Sequence, residues 1–178
     1  MVGYAKKKGI RVWFPTNMLL FTEDIARQLI ECGLDQITVS LDSAYEDSYL
    51  KHKRTGSFSM TIENLKMLNK AKKDLNRKNP LVKVNFVVMK HNQNEIEAAR
   101  DLAQESGADI FMLKPANMQV SGYGEGQIKN EIGIEQRGVY KLKDAALNSF
   151  KCPLAWNTVM IFADGSISPC CFDAHGSI

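Results

Sequence analysis

The sequence predicts an α/β fold: a partial (β/α) barrel of parallel strands with its first strands missing, followed by a small cysteine-rich β-hairpin segment. Helix-like and strand-like segments alternate up to residue 115, one strand is polar on a single face, and three of the four cysteines lie near the C-terminus. The 178 residues, 44% of them hydrophobic, allow one sizeable core and a small appendage.

Two similar helix-to-strand units indicate the alternation. The stretches "EDIARQLIECGLDQITVSLD" and "EIEAARDLAQESGADIFMLKP" each have apolar residues at helical spacing, then Gly33 or Gly107, then an acidic residue and an apolar strand. Glycine suits the left-handed residue that ends a helix. The strands "RVWFPTN" and "LVKVNFVVMK" and the helix "SFSMTIENLKMLNKAKK" complete the order β-α-β-α-β-α-β. This order favours a parallel sheet with right-handed crossovers.

The second strand favours a barrel over an open sheet. In "QITVSLD" the apolar residues alternate with polar ones, so Thr38, Ser40 and Asp42 share one face. A strand covered by helices on both sides is usually apolar throughout, whereas a barrel interior that holds a ligand is not. Polar residues collect at the carboxyl ends of the strands, where α/β barrels carry their sites. They are Thr16, Asn17, Ser40, Asp42, Lys90 and Lys114.

Four strands do not close a barrel. The stretch "GYAKKKG" before the first strand is typical of the end of a helix, and "CCFDAHGSI" stops without a finished element. We therefore expect an internal piece of a longer protein. We expect a partial barrel over residues 1–115, a linker with a helix over 116–149 and a cysteine-rich segment over 150–178.

Three cysteines lie at the ends of a predicted hairpin. "WNTVMIFADGSISP" predicts two short strands around an Asp-Gly turn, with Cys152 before it and Cys170 and Cys171 after it. Such a hairpin is marginally stable alone. A disulfide, a zinc site that adds His175, and an iron–sulfur cluster all stay open as explanations. We interpret Cys32 as a buried small hydrophobe.

Composition and charge exclude several classes of partner. The net charge of +3 is small, and the lysine-rich run "NKAKKDLNRK" has no interleaved aromatic residues, so we expect no nucleic-acid partner. No apolar run approaches the roughly 20 residues of a membrane span, so we expect no membrane partner. Without a secretory signal in "MVGYAKKKGIRVWF" we expect a cytoplasmic location.

The cysteine segment and the strands resemble one enzyme family. "CPLAWNTVMIFADGSISPCCFD" resembles the opening of the SPASM domain, which binds auxiliary iron–sulfur clusters in many radical S-adenosylmethionine (SAM) enzymes. "PTNMLL", "ITVSLDSAYEDSYLKHKRTGSF", "VVMKHNQNEI" and "GADIFMLKP" are similar to the third to sixth strands of the radical SAM barrel. The resemblance covers nearly the whole chain and is weakest over residues 116–151.

The resemblance implies an enzyme that reductively cleaves SAM to abstract hydrogen from a substrate, which is a peptide or protein or a small molecule such as a sugar. The implied cofactors are SAM, a catalytic [4Fe-4S] cluster and an auxiliary iron–sulfur cluster, and the implied electron donor is a flavodoxin or ferredoxin. By position in the family pattern, Thr16 and Ser40 would lie beside the amino-acid and ribose portions of SAM. Arg54 would pair with the SAM carboxylate, which suits a bidentate guanidinium. The implied ligands of the auxiliary cluster are Cys152, Cys170 and Cys171.

The sequence departs from the family pattern at one place that matters. It contains neither the Cys-x3-Cys-x2-Cys loop that holds the catalytic cluster nor the Gly-Gly-Glu stretch that helps to bind SAM. The ligands of the catalytic cluster would then lie outside this chain. Two alternatives stay open: a non-catalytic binding module derived from this family, and a zinc-stabilised α/β protein.

Overall fold

The computed structural model describes residues 1–53, 56–115 and 154–169. The chain forms two compact units, of which the first contains the described residues up to 115 and the second contains residues 154–169. The predicted boundaries of the linker fall outside the described residues and stay predictions.

The first unit alternates strands and helices in the predicted order. Its elements are α1 (Val2–Lys7), β1 (Trp13–Thr16), α2 (Glu23–Glu31), β2 (Gln36–Ser40), α3 (Glu46–Lys53), α4 (Phe58–Asp74), β3 (Leu81–Val88), a 3₁₀ turn (Gln93–Glu95), α5 (Ile96–Glu105) and β4 (Ile110–Pro115). Helix α3 was not predicted, because its sequence "EDSYLKHK" is mostly polar. Strand β2 ends two residues earlier than predicted, and Asp42 has a left-handed φ of +60°.

The sheet has the topology of a barrel wall. Its four strands are parallel and follow one another in the order β1-β2-β3-β4. Register pairs such as Phe14 with Ile37 and Val39 with Val84 set apolar residues side by side. A doubly wound sheet instead reverses its strand order and carries helices on both faces. The predicted partial (β/α) barrel is therefore confirmed.

The core lies between one face of the sheet and helices α2, α4 and α5. The strands contribute Ile37, Val39, Val82 and Val84, and Leu41 follows directly after β2. The helices contribute Ala26, Ile30, Ile62, Leu65, Leu68, Ala71 and Ala103. Of the apolar residues at helical spacing in α2, Ile30 is buried and Leu29 packs against the core, whereas Ile25 is 39% exposed and Ala26 is buried beside it. The alternation of β2 is confirmed, because its apolar residues all face the helices.

The ends of the helices follow the sequence signals. The Thr22 hydroxyl accepts the N–H of Ile25 (3.3 Å) at the start of α2, and the Ser57 hydroxyl accepts the N–H of Met60 (3.1 Å) at the start of α4. Beyond the ends of α2 and α5, Gly33 and Gly107 have φ values of +80° and +88°, the left-handed conformation that was predicted.

The second unit contains the predicted hairpin. After the short helix α6 (Leu154–Asn157), β5 (Met160–Ile161) pairs antiparallel with β6 (Ile167–Ser168). The Asp164 carboxylate accepts the N–H (2.9 Å) and the hydroxyl (2.7 Å) of Ser166, and these bonds lower the pKa of Asp164. The first strand begins later than predicted, because Trp156 lies in α6.

Among the described helices, none has the length and apolar character that crossing a bilayer requires.

Two glycine-to-alanine variants test how α5 packs on α4. A Cβ at Gly107 would lie 2.6 Å from Asn69 Cγ, whereas the nearest atom to a Cβ at Gly33 is 3.9 Å away. Gly33→Ala should therefore cost only backbone strain, about 1 kcal/mol. Gly107→Ala adds a steric clash and should cost about 2–4 kcal/mol. Urea denaturation measures both free energies of unfolding, and equal losses would contradict this packing.

Candidate functional site

The face of the sheet opposite the helices carries polar side chains from β2, β3 and β4, beside apolar ones such as Ile110 and Met112. Residues Ile37, Val39, Val82, Val84 and Phe111 face the helices, so their neighbours in the strands must point the other way. We call this second face the polar face; it carries Gln36, Thr38, Ser40, Lys83, Asn85 and Lys114. The sequence prediction found the contribution of β2. It missed Lys83 and Asn85, although "LVKVNFVV" alternates with the same period.

Ser40 stands at the carboxyl end of β2 on the polar face. It pairs with Asn85 in the register of the sheet and is half-buried. Within the described residues its hydroxyl forms no hydrogen bond, whereas the neighbouring Thr38 hydroxyl accepts the Nε2–H of Gln36 (3.2 Å). The Ser40 hydroxyl can therefore donate to and accept from a ligand at the edge of the sheet where barrel sites form.

Thr16 ends β1 at the same edge, but it pairs with Val39 and therefore lies on the helix-facing side of the sheet, not on the polar face. Its hydroxyl oxygen accepts the N–H of Met18 (3.0 Å), which stabilises the turn after the strand. The hydroxyl hydrogen remains available to a ligand. The next residue, Asn17, is exposed and its side-chain oxygen accepts the N–H of Leu19 (3.2 Å).

The remaining predicted binding residues lie outside the described part of the chain. These are Arg54 and the cysteines Cys152, Cys170 and Cys171, and His175 of the zinc alternative lies there as well. Cys32 is described as a free thiol that is half-buried rather than buried, and its Sγ donates to the carbonyl of Leu29 (3.4 Å). Across residues 1–53, 56–115 and 154–169, no three His, Cys, Asp or Glu side chains are grouped to hold a metal.

The polar face is positively charged. Lys83 is half-buried in β3, and Lys114 is half-buried in β4. Burial lowers the pKa of Lys83, and the charge of Lys114 lowers this pKa further. In the described part of the chain neither lysine forms an ion pair. Lys90, also predicted to line the site, instead lies exposed in the turn after β3.

Asn85 leaves a polar atom unsatisfied on the same face. Its Oδ1 is shielded from solvent and has no hydrogen-bond partner among the described residues. An unpaired buried acceptor costs about 1–3 kcal/mol. Because buried polar atoms are nearly always paired, this oxygen marks a place where a ligand or a water molecule can donate.

The carboxyl end of β2 is held by a set of buried hydrogen bonds around Asp42. One carboxylate oxygen accepts the N–H of Val87 (2.8 Å), and the other accepts Lys53 Nζ (2.7 Å). The backbone carbonyl of Asp42 accepts Asn92 Nδ2 (2.8 Å). Asp42 was expected to line the cavity. Its carboxylate instead links β2 to β3 and to the end of α3.

Two residues after β3 extend this set, which we call the Asp42 network. Asn92 is fully buried; its Oδ1 accepts the N–H of Met89 (2.7 Å) and its Nδ2 donates to the carbonyl of Val87 (2.9 Å). Glu95 accepts the N–H of Ala44 (2.9 Å) and the hydroxyl of Ser48 (2.7 Å). The network therefore fixes the loops after both central strands. Nothing in the sequence pattern pairs these residues, because they lie up to 51 positions apart.

Comparison with known proteins identifies the family. The model of the Radical SAM superfamily matches residues 2–103. The chain is 30% identical to the AdoMet-dependent heme synthase of Methanosarcina barkeri over 116 residues, which cover 63% of this chain and 31% of that protein. It is 28% identical to the tungsten-containing aldehyde ferredoxin oxidoreductase cofactor-modifying protein of Pyrococcus furiosus, covering 96% of this chain and 52% of that one.

A solved structure has the same fold. SuiB of Streptococcus suis bound to S-adenosylmethionine matches 99% of this chain and 46% of its own, with a TM-score of 0.63 and 12% identity. SuiB bound to the precursor peptide SuiA matches 97% of this chain and 45% of its own, with a TM-score of 0.63 and 15% identity. At this identity the likeness shows the fold alone. The chain spans between 31% and 52% of the length of these relatives.

Asp42→Asn tests whether the Asp42 network stabilises the fold. Asparagine keeps the shape and tolerates the left-handed backbone, but it removes the charge that pairs with Lys53. Because the Asp42 side chain is only 3% exposed, the loss should be about 2–3 kcal/mol of unfolding free energy. The control, Glu97→Gln, removes an exposed carboxylate paired with Arg100 and should cost less than about 0.5 kcal/mol. Equal losses in urea denaturation would contradict a structural role for the network.

Proposed function

The chain belongs to the radical SAM superfamily, and on that premise we propose that it forms part of an enzyme that reductively cleaves SAM to abstract hydrogen from a substrate. The chain supplies a wall of the barrel whose polar face lines the SAM and substrate site. One observation carries this proposal: the Ser40 hydroxyl, half-buried at the carboxyl end of β2, forms no hydrogen bond within the described residues.

SAM fits the groups that this edge of the sheet offers. Ribose hydroxyls both donate and accept hydrogen bonds, as the free hydroxyl of Ser40 does. Thr16 belongs to the helix-facing side of β1, but it stands at the carboxyl end of the strand and can still donate its hydroxyl hydrogen there. In the proposal it lies beside the amino-acid portion of SAM at this edge. Arg54, two positions before the exposed Gly56, pairs with the SAM carboxylate. The Asp42 network holds the segment between Ser40 and α3 in place, so it positions Ser40 without touching SAM.

The catalytic cluster is not held by the described residues. Cys32 is their only cysteine, and its thiol is turned to the carbonyl of Leu29. In the proposal the cluster ligands are supplied from outside this chain, and the cluster provides the electron that cleaves SAM. Ser40 and Thr16 contribute only binding and orientation.

The cysteine-rich end is proposed to begin a SPASM domain. The hairpin of β5 and β6 supports this, because it lies between Cys152 and Cys170 in the sequence, as the family pattern requires. In the proposal Cys152, Cys170 and Cys171 bind an auxiliary iron–sulfur cluster. Soft thiolates suit such a cluster.

The proposed substrate is a peptide, with a small molecule as the other possibility from the sequence. The fold match to SuiB, whose structure contains a precursor peptide, supports a peptide. The electron donor is proposed to be a flavodoxin or ferredoxin, and the location to be cytoplasmic.

Ser40→Ala tests the SAM site. Removing one hydrogen bond of about 1 kcal/mol should weaken SAM binding about fivefold. Ser59→Ala is the matched control, because Ser59 is exposed on α4, and it should leave the affinity unchanged. Equilibrium dialysis of the full chain with labelled SAM measures all three proteins. Equal affinities of the two variants, or no SAM binding by the wild-type chain, would contradict the proposal.

Cys170→Ser tests the auxiliary cluster. After anaerobic reconstitution, the wild-type chain should contain iron and sulfide, and the variant should lose most of both while its circular dichroism stays unchanged. Cys32→Ser should keep the full content, because that thiol lies just after α2 and outside the hairpin. Zinc without iron in the wild-type chain would contradict the cluster and support the zinc-stabilised alternative.

A further inference from the structure

We propose that the polar face binds an oxyanion of the substrate, a carboxylate or a phosphate, between Lys83 and Lys114, and that Asn85 orients it. This inference rests on the proposed function, because it assigns the chemical class of the substrate to the same barrel site. The inference also extends the proposed function, because that proposal assigned no residue of the barrel site to the substrate.

The register of the sheet places the three side chains together. Lys83 and Asn85 are two positions apart in β3, so their Cα atoms lie about 7 Å apart on the same face. Asn85 pairs with Met112 of β4, and Lys114 follows Met112 by two positions. Asn85 therefore lies between the two lysines across neighbouring strands. The four-carbon stem of each lysine is long and flexible enough for its ammonium group to approach Asn85.

The two lysines of the polar face lack the carboxylate partner that other buried or half-buried lysines of the described residues have. Lys6 pairs with Asp35, Lys53 with Asp42 and Lys72 with Asp109, at 2.7, 2.7 and 3.0 Å. Lys83 and Lys114 have no carboxylate partner in the described part of the chain. They instead repel each other, and burial together with this repulsion lowers the pKa of Lys83. An oxyanion would neutralise both charges in a partly desolvated place, where charge-assisted hydrogen bonds are strong.

Asn85 adds a requirement on the ligand. Its Oδ1 is shielded from solvent and unpaired among the described residues, so it needs a donor. A ligand that carries an N–H or O–H beside its oxyanion supplies one. An acidic residue within a peptide has a backbone N–H near its carboxylate, and a singly protonated phosphate has an O–H. Both classes of oxyanion therefore fit, and the experiment separates them.

Titration of the full chain with small anions tests the inference. Sodium phosphate and sodium acetate are added in separate series while sodium chloride keeps the ionic strength constant, and NMR follows the backbone amides of β3 and β4. The wild-type chain should show saturable shifts in at least one series, and the tighter series identifies phosphate or carboxylate. Lys83→Gln and Lys114→Gln should each weaken that binding about tenfold. Lys70→Gln removes the same charge from an exposed position of α4 and should leave it unchanged.

Asn85→Asp is the sharper variant, because it keeps the shape and places a carboxylate between the lysines. It should abolish measurable anion binding by neutralising both of them. Equal affinities in Lys70→Gln and Lys83→Gln, or no saturable shift in the wild-type chain, would overturn the inference.

SAM binding by the same variants separates this inference from the proposed function. The lysine variants should bind SAM as the wild-type chain does. If SAM binding falls together with anion binding, the lysines hold the carboxylate of SAM and the assignment to the substrate is overturned. A wild-type chain that binds SAM but neither anion overturns the inference and keeps the proposed function. A wild-type chain that binds an anion but not SAM overturns the proposed function and keeps the assignment of the anion site to the polar face.

Discussion

The alternation of side chains along β2 and β3 is the constraint on which the rest of the structure depends. Five side chains on one face, Ile37, Val39, Leu41, Val82 and Val84, are fully buried against helices. Full burial of each such side chain stabilises by about 1.5–3 kcal/mol. A slip of one residue would move this set to the other face, so the register is strongly fixed. The same register places Ser40, Lys83 and Asn85 on the polar face, and no further interaction is needed to set their orientation.

The Asp42 network solves a second problem, which arises where the strands end. Beyond Ser40 the backbone leaves the sheet through a left-handed residue, and the loop carries buried polar groups that must be paired. The carboxylate of Asp42 accepts from Val87 in the adjacent strand and from Lys53 at the end of α3. Such side-chain hydrogen bonds replace the backbone hydrogen bonds that the strands no longer form beyond their ends. The loops at this edge of the sheet are thus held by paired buried polar groups.

The sequence alone predicted what depends on local pattern. Spacings of two to four residues predict the order of the elements and the polar face of β2. They also predict the hairpin turn and the glycines beyond α2 and α5. The sequence did not predict the features that depend on contacts between residues far apart in the chain. Helix α3 has no apolar stripe, and its place is set by Lys53 and Ser48 bonding to Asp42 and Glu95. Asp42 was expected to line the cavity because its position in the strand pattern is polar. Its carboxylate bonds to Val87 and Lys53, which are 45 and 11 positions away, and no periodicity in the sequence links such residues.

The buried and half-buried lysines of the described residues form two groups, one with a carboxylate partner and one without, and the cost of burying a charge explains why this difference matters. Where a lysine stem is covered by the core or by a loop, as at Lys72, a carboxylate lies at hydrogen-bond distance, because an unpaired charge there would be expensive. Lys83 and Lys114 break this rule while sitting on a face that the fold could have filled with apolar side chains. Two positive charges without a carboxylate partner do not stabilise this face. The oxyanion proposed above would neutralise both of them when it is bound.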